Sequence, residues 1–169
     1  MSIHISEGGT PGNYKGVTFD VPKTWTLQPQ RDGLFLVPQN SNSSGQVEEL
    51  YVIVSDAATK SVDGADFERS VETLAGQLQP GATRKSGPES KKFGDLDGRT
   101  WTYAARAKNG KDVEIRIYAF TGSCGCGLVA LGIPELLARR DADVQAILGS
   151  LSKSAAPAAG AASVRAELA

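Results

Sequence analysis

The chain has one histidine, His4, and two cysteines among its 169 residues. Histidine is the side chain used most often for proton transfer, which requires a fixed approach to the reacting group. His4 stands in a glycine-rich N-terminal stretch typical of a flexible lead-in, so we expect no His-assisted serine or cysteine catalysis. The sequence also has no Gly-x-Ser-x-Gly motif and no Gly-Lys-Ser/Thr phosphate loop. These absences predict a protein that is not an enzyme and that uses no cofactor.

Charge and hydropathy argue against two further classes of partner. The 18 Lys and Arg residues nearly balance the 19 Asp and Glu residues, and no basic cluster stands out, so we expect no nucleic-acid binding. No window approaches the ~20 consecutive apolar residues that span a bilayer. The N-terminus lacks the basic start and apolar run of a signal peptide. We therefore expect no membrane insertion and a cytoplasmic location, or an extracytoplasmic one if a leader has been removed.

Length and composition predict one folded domain with two flanking segments. A chain of 169 residues, 40% apolar and 22% charged, is long enough to bury a core without metal or disulfide support. Residues 1–13 are interpreted as a flexible lead-in that contains at most a short strand at 2–6. The domain is predicted over residues 14–152. Residues 153–169 are rich in alanine and are interpreted as a disordered tail or a linker.

The first half of the domain contains strand signals followed by one helix. Val17, Phe19 and Val21 alternate with polar residues and predict a strand that Pro22 ends. Further strands are predicted at 25–28, 33–37 and 47–55, with a polar loop at 38–45. Apolar residues that recur every three or four positions predict a helix over 64–79, capped by Asp63; they are Phe67, Val71, Leu74 and Leu78.

The second half predicts an antiparallel meander and a final helix. Asp97-Gly98 is interpreted as a turn before a strand at 99–108, and Asn109-Gly110 predicts a hairpin into a strand at 111–121. A third strand is predicted over 122–132. Pro134 is a favourable first residue of a helix, which Asp141 is expected to recap after a break. The predicted fold class is thus α+β, an antiparallel sheet flanked by helices.

Three short segments and their order resemble the PsbP/DcrB-like superfamily, which includes the Ran-binding Mog proteins. They are Tyr14–Trp25, with the pattern Tyr-x-Gly-Val-x-Phe-x-Val-Pro-x-x-Trp, Leu96–Arg99, and Val144–Leu151, which closes on Ile147-Leu-Gly-Ser-Leu151. The likeness covers roughly residues 13–152. It implies a Mog/PsbP-like α/β/α sandwich and non-enzymatic work, such as binding a small GTPase, assisting a photosystem or acting as a chaperone. A resemblance in fold sets an expectation for function and does not identify a partner.

The segment from Gly122 to Gly127 contains both cysteines. On a strand, Cys124 and Cys126 share one face and the glycines between and after them share the other. Three interpretations remain open: two small buried side chains, a redox pair that forms a disulfide if the backbone bulges, or thiolates that anchor a metal. Structural zinc usually takes four nitrogen or sulfur ligands, so a metal would need carboxylates or a second subunit.

Aromatic residues supply the other candidate sites. Trp25 is predicted to plug the end of a strand, and Trp101 to pack beside Tyr103 in the core. Tyr118 and Phe120 face away from Ile117 and its neighbours, so they are predicted to form an exposed apolar interaction surface if no helix covers them.

The function predicted from the sequence is a protein-binding, adaptor or chaperone-like module without a cofactor or metal. The expected contact regions are the 38–46 loop, the exposed part of the meander and the tail. The alternative is a thiol redox or metal-responsive protein that uses Cys124 and Cys126, and a hydrolase built on paired carboxylates is a third possibility. The partner is predicted to be another protein, while its identity and the oligomeric state do not follow from the sequence.

Overall fold

The computed structural model describes residues 9–31, 33–38, 49–56 and 58–153. Ten strands and two helices lie within these ranges. The strands are β1 (Gly9–Tyr14), β2 (Val17–Pro22), β3 (Trp25–Gln30), β4 (Gly33–Pro38), β5 (Glu49–Asp56), β6 (Thr83–Phe93), β7 (Leu96–Arg106), β8 (Asp112–Thr121), β9 (Gly125–Gly132) and β10 (Ser152–Lys153). The helices are α1 (Ala65–Leu78) and α2 (Pro134–Gly149). The α+β prediction is confirmed.

Seven strands form one antiparallel sheet in the order β3-β4-β5-β9-β8-β7-β6. The hairpin β7-β8 and the next pair β8-β9 are the predicted meander, with Trp101 opposite Ile117 and Ile117 opposite Val129. The long pairing of β5 with β9, from Glu49 opposite Gly132 to Asp56 opposite Gly125, joins the two halves of the chain. This pairing puts β5 and β9 at the centre of the sheet, where both strands run beside α1.

A helix packs on each face of the large sheet, because the strands alternate apolar side chains to both sides. On one face, α1 contributes Phe67, Val71 and Ala75 to a core with Trp101 and Ile117. On the other face lie α2 and the small sheet. That second core contains Trp25, Leu36, Tyr51, Ile53, Phe120, Cys126, Leu128, Leu137, Val144 and Ile147.

The opening strand of the domain belongs to a separate three-stranded sheet of order β1-β2-β10. Val17, Phe19 and Val21 on β2 are each 3% exposed or less and pack into the core beside α2. Residues 9–13, which fall in the predicted flexible lead-in, form most of β1 and pair with β2. The predicted strand at 2–6, His4, residues 39–45 of the predicted loop and the predicted tail from residue 154 lie outside the described residues.

Three local predictions are corrected. The turn between β6 and β7 is at Gly94-Asp95, and Asp97 and Gly98 are inside β7. Gly94 has φ +60°, and a Cβ there would contact the carbonyl oxygen of Leu151, so only glycine fits the turn. Gly64, and not Asp63, occupies the N-cap of α1, which has no side-chain cap. The final helix α2 runs unbroken through Asp141.

Neither helix of the described part of the chain has the length and apolar character needed to cross a bilayer.

Candidate functional site

The half of the large sheet formed by β4 and β5 has one covered face and one uncovered face. Leu34, Leu36, Tyr51 and Ile53 point toward α2 and are 6% exposed or less. The alternating residues point toward the α1 side and are only half-buried. They are Phe35, Val37, Leu50, Val52 and Val54, and we call them the open face.

The helix α1 borders the open face without covering it. Its buried residues pack over β7, β8 and β9, while Leu74 and Leu78 on its flank are half-buried and contact the core near Val52 and Val54. A groove of about 370 Å³ results, with Phe35 and Val52 on its floor, Leu78 on one wall and Arg31 at the rim. Among the described residues no helix fills this groove. With respect to the described residues, the open face is thus an apolar surface that stays partly accessible beside α1.

A second concavity, which we call the α1 cavity, lies between α1 and the strands β5, β8 and β9. Its volume is about 310 Å³. Its apolar lining includes Phe67, Val71, Ile117 and Val129, each 5% exposed or less. Val54 lines both the cavity and the groove, so the two are neighbours on the same face of the sheet.

Polar side chains in the lining of the α1 cavity come from the end of β5 and the first half of α1. They are the half-buried residues Ser55, Asp56 and Ser70. The Ser70 hydroxyl donates a hydrogen bond to Asp56 Oδ2. The backbone N–H of Ala58 donates to Asp56 Oδ1 over 3.1 Å. These bonds fix the carboxylate at the solvent end of an otherwise apolar space.

The side chains of Cys124, just before β9, and Cys126, within it, belong to the core on the α2 side of the sheet, although Cys126 also contributes to the wall of the α1 cavity. Cys124 and Cys126 are 9% and 1% exposed and belong to the core beside α2. Both are free thiols, and the Cys126 thiol donates to the carbonyl oxygen of Cys124 over 3.4 Å. Burial, with a smaller effect of Cys124, raises the pKa of the Cys126 thiol to about 12. Because thiol chemistry requires the thiolate, this environment disfavours the redox alternative.

The predicted surface of Tyr118 and Phe120 is covered. Phe120 is 1% exposed and packs in the core beside α2, so the expectation that it forms an exposed patch is wrong. Tyr118 is half-buried against the same core, with its ring 6.2 Å from that of Phe93. The cause is the position of α2 and the small sheet, which the residues of β8 alone do not reveal. Trp25 and Trp101, predicted to pack, are 2% and 1% exposed.

The face beside α2 contains a buried ion pair with a structural role. Arg140 on α2 donates from Nε and Nη2 to the Glu49 carboxylate, both over 2.9 Å, and the Tyr51 hydroxyl donates to Glu49 Oε1. Burial and the bond to Glu49 raise the pKa of Tyr51. Trp25 Nε1 donates to Asp143 over 3.0 Å in the same layer. These contacts fix α2 on the sheet.

In the described ranges, no three His, Cys, Asp or Glu side chains lie close enough together to hold a metal ion.

Neither the open face nor the α1 cavity was identified from the sequence. The pattern Leu50-Tyr-Val-Ile-Val54 favoured a strand buried on both faces, because every position is apolar. The signal that could have revealed an uncovered face is the length of α1, which is too short to cover the whole sheet. A helix of 14 residues spans about 21 Å, enough to cover only part of a sheet of seven strands spaced about 4.8 Å apart.

Comparison with known proteins supports the fold. No family model and no curated protein matches the chain. A solved protein from Bacteroides thetaiotaomicron aligns with TM-score 0.56 and 10% identity over 88% of this chain. This chain spans about half, 49%, of that protein's length. Identity this low establishes likeness of fold alone.

Two other solved structures align with lower scores. PA94 of Pseudomonas aeruginosa, a protein of unknown function, gives TM-score 0.49 and 13% identity over 89% of this chain and 99% of its own. LpqN of Mycobacterium tuberculosis, involved in cell envelope biogenesis, gives TM-score 0.48 and 14% identity over 91% of this chain and 96% of its own.

Proposed function

We propose that the protein is a non-enzymatic protein-binding module of the PsbP/DcrB-like type, an adaptor or chaperone-like domain whose contact surface is the open face. The observation that supports the proposal is the row of half-buried apolar side chains on β4 and β5, from Phe35 to Val54. Contiguous apolar patches on a protein surface often mark interaction sites. The partner presents a segment of apolar side chains that completes the layer begun by α1.

The rigidity of the surroundings favours this proposal. The backbone of β5 is paired on both sides, with β4 and with β9, so the side chains of the open face are held in a fixed row. Preorganised surface lowers the entropy lost on binding. Arg31 at the rim of the groove adds a positive charge that can pair with an acidic flank of the partner segment.

Site-specific photo-crosslinking tests the proposal. A photoreactive residue is placed at Val52, within the open face, or at Ser86, an exposed position on the opposite edge strand β6. We expect one protein from the source cell to crosslink from position 52 and not from position 86. That protein, once purified, should bind the unmodified chain, lose binding to the Val52→Glu variant and bind the Ser86→Glu variant normally.

Deletion of residues 154–169 distinguishes binding at the open face from binding at the tail. The proposal requires the purified partner to bind the shortened chain with unchanged affinity. Binding that survives Val52→Glu but is lost on deletion would move the contact to the tail and refute the open face. Absence of any position-specific crosslink would refute the protein-binding function itself.

A further inference from the structure

Gly127, in the central strand β9, forms part of the wall of the α1 cavity and has no side chain to occupy it. Protein interiors leave few spaces larger than a water molecule, so a cavity of about 310 Å³ needs a structural cause. A Cβ added at Gly127 would meet its nearest neighbour, Ile117 Cγ2, at an ordinary 3.6 Å. The position therefore has room for a side chain that the sequence does not supply. Gly125 has no room for a side chain, since a Cβ there would come within 2.7 Å of the Phe67 ring.

The lining of the cavity has an apolar interior and one charged group at its opening. The most buried walls, Phe67, Ile117 and Val129, carry only hydrocarbon. Asp56 is half-buried at the solvent end and accepts hydrogen bonds from the Ser70 hydroxyl and the Ala58 N–H, both neutral donors. Within the described part of the chain, Asp56 forms no ion pair. Its negative charge is therefore uncompensated where a ligand would enter.

We propose that the α1 cavity binds a small primary amine with an apolar body, whose ammonium group pairs with Asp56. A cavity of roughly half this volume accommodates one benzene ring in other proteins, so a ring with a short chain is an appropriate size. The ammonium stays at the opening, where it keeps part of its hydration, and the apolar body enters the cavity. The carboxylate selects the sign of the ligand's charge, and the hydrocarbon walls supply the affinity.

The end of the ligand that enters the cavity first distinguishes a free amine from a lysine side chain of a partner protein. Lysine has its ammonium at the far end of its hydrocarbon stem. Insertion of that side chain would carry the charge past Asp56 and bury it against Phe67 and Ile117, at a large desolvation cost. A free amine enters with its apolar end first and leaves its charge at the opening.

The test titrates the full chain with phenethylamine, phenethyl alcohol and 3-phenylpropionate, which are similar in shape but cationic, neutral and anionic. Binding is followed by backbone amide chemical shifts. We expect saturable shifts at Asp56, Ser70, Gly125 and Gly127 with phenethylamine. Attraction of the cation and repulsion of the anion by one partly solvated carboxylate predict an affinity about tenfold higher for phenethylamine than for 3-phenylpropionate.

Two variants with matched controls assign the effect to this site. Gly127→Val places an isopropyl group in the cavity and should weaken the binding of all three compounds, whereas Gly76→Ala, on α1 with open space around it, should leave binding unchanged. Asp56→Asn keeps the approximate shape of the side chain and should remove the preference for the amine. Asp97→Asn, whose side chain is 92% exposed, should leave that preference intact.

Each other outcome overturns the proposal. Equal affinity for the cation and the anion would show that Asp56 does not select the ligand. Absence of saturable binding by phenethylamine would identify the cavity as a gap in packing. Shifts at Phe35 and Val52 that persist in Gly127→Val would place the compounds on the open face. None of these results affects the crosslinking test of protein binding, because Phe35 and Val52 do not line the cavity.

Discussion

Arg140 holds the Glu49 carboxylate through two parallel hydrogen bonds of 2.9 Å, so that a charged pair connects α2 with the central strand β5. The Glu49 side chain is only 4% exposed and that of Arg140 21%. Loss of one partner from a buried pair leaves an uncompensated charge, which is far more costly than loss of an exposed pair.

Arg140→Met should lower the free energy of unfolding by about 3 kcal/mol, because Glu49 then remains buried with Tyr51 as its main donor. Urea denaturation at neutral pH measures the change. Adding Glu49→Gln should restore part of the loss, since a neutral amide is less costly to bury. The exposed pair Arg106–Asp112 is the control, and Arg106→Ala should cost less than about 1 kcal/mol. Equal costs for Arg140 and Arg106 would contradict the role given to the buried pair.

The environment of the Glu114 carboxyl predicts that the folded protein loses stability in acid. Burial raises the pKa of this carboxyl, but hydrogen bonds from Lys85 and Arg116 outweigh that effect and hold its pKa below the ordinary value. A carboxyl with a lowered folded-state pKa stabilises the fold above its unfolded pKa of about 4.3, and this contribution is lost as the pH falls through the folded pKa.

Comparison with Glu114→Gln measures that contribution. The wild-type chain should be more stable than the variant at pH 7, and the difference between their urea midpoints should shrink below about pH 4. Glu135→Gln, at an exposed position in the first turn of α2, is the control and should have little effect across the range. A difference for Glu114→Gln that is independent of pH would rule out this linkage.

The cysteines should be unreactive in the folded protein. At about pH 8 a thiol with a pKa near 12, as for Cys126, is almost entirely protonated and also inaccessible to reagent. In the Cys124→Ser variant, which isolates Cys126, an aromatic disulfide reagent should detect no thiol until guanidinium is added. Rapid reaction in the folded state would restore the redox alternative.

Gly125 and Gly127, two of the three glycines of β9, should respond oppositely to the same change. Gly125→Ala places a methyl group against Phe67 and Thr59 and should cost about 1–3 kcal/mol of unfolding free energy. Gly127→Ala adds the methyl group to the α1 cavity, where it fits, and should be neutral or stabilising. Thermal or urea unfolding of both variants measures the difference. Equal destabilisation would mean that the space beside Gly127 does not exist in solution.

Local patterns predicted most of the elements correctly, because their causes are local. The stripe from Phe67 to Leu78 specifies α1, and Asn109-Gly110 specifies the β7-β8 hairpin. The predicted turn at Asp97-Gly98 was wrong because both glycines lack room for a side chain, at Gly94 beside the Leu151 carbonyl and at Gly98 beside the Ala119 carbonyl, but only Gly94 has the positive φ of a turn. The constraint at Gly94 comes from the far end of the chain and is invisible in the local sequence.

The sequence by itself determined the α+β class, the two helices, the meander and the packing role of both tryptophans, since each follows from periodicity, turn chemistry or side-chain size. Only the tertiary structure decided which apolar faces stay accessible. It covered Phe120 with α2 and left Phe35 and Val52 beside α1, although all three lie on strands of similar composition. The exposure of each side chain depends on where the two helices pack on the sheet. That placement is set by contacts between distant parts of the chain.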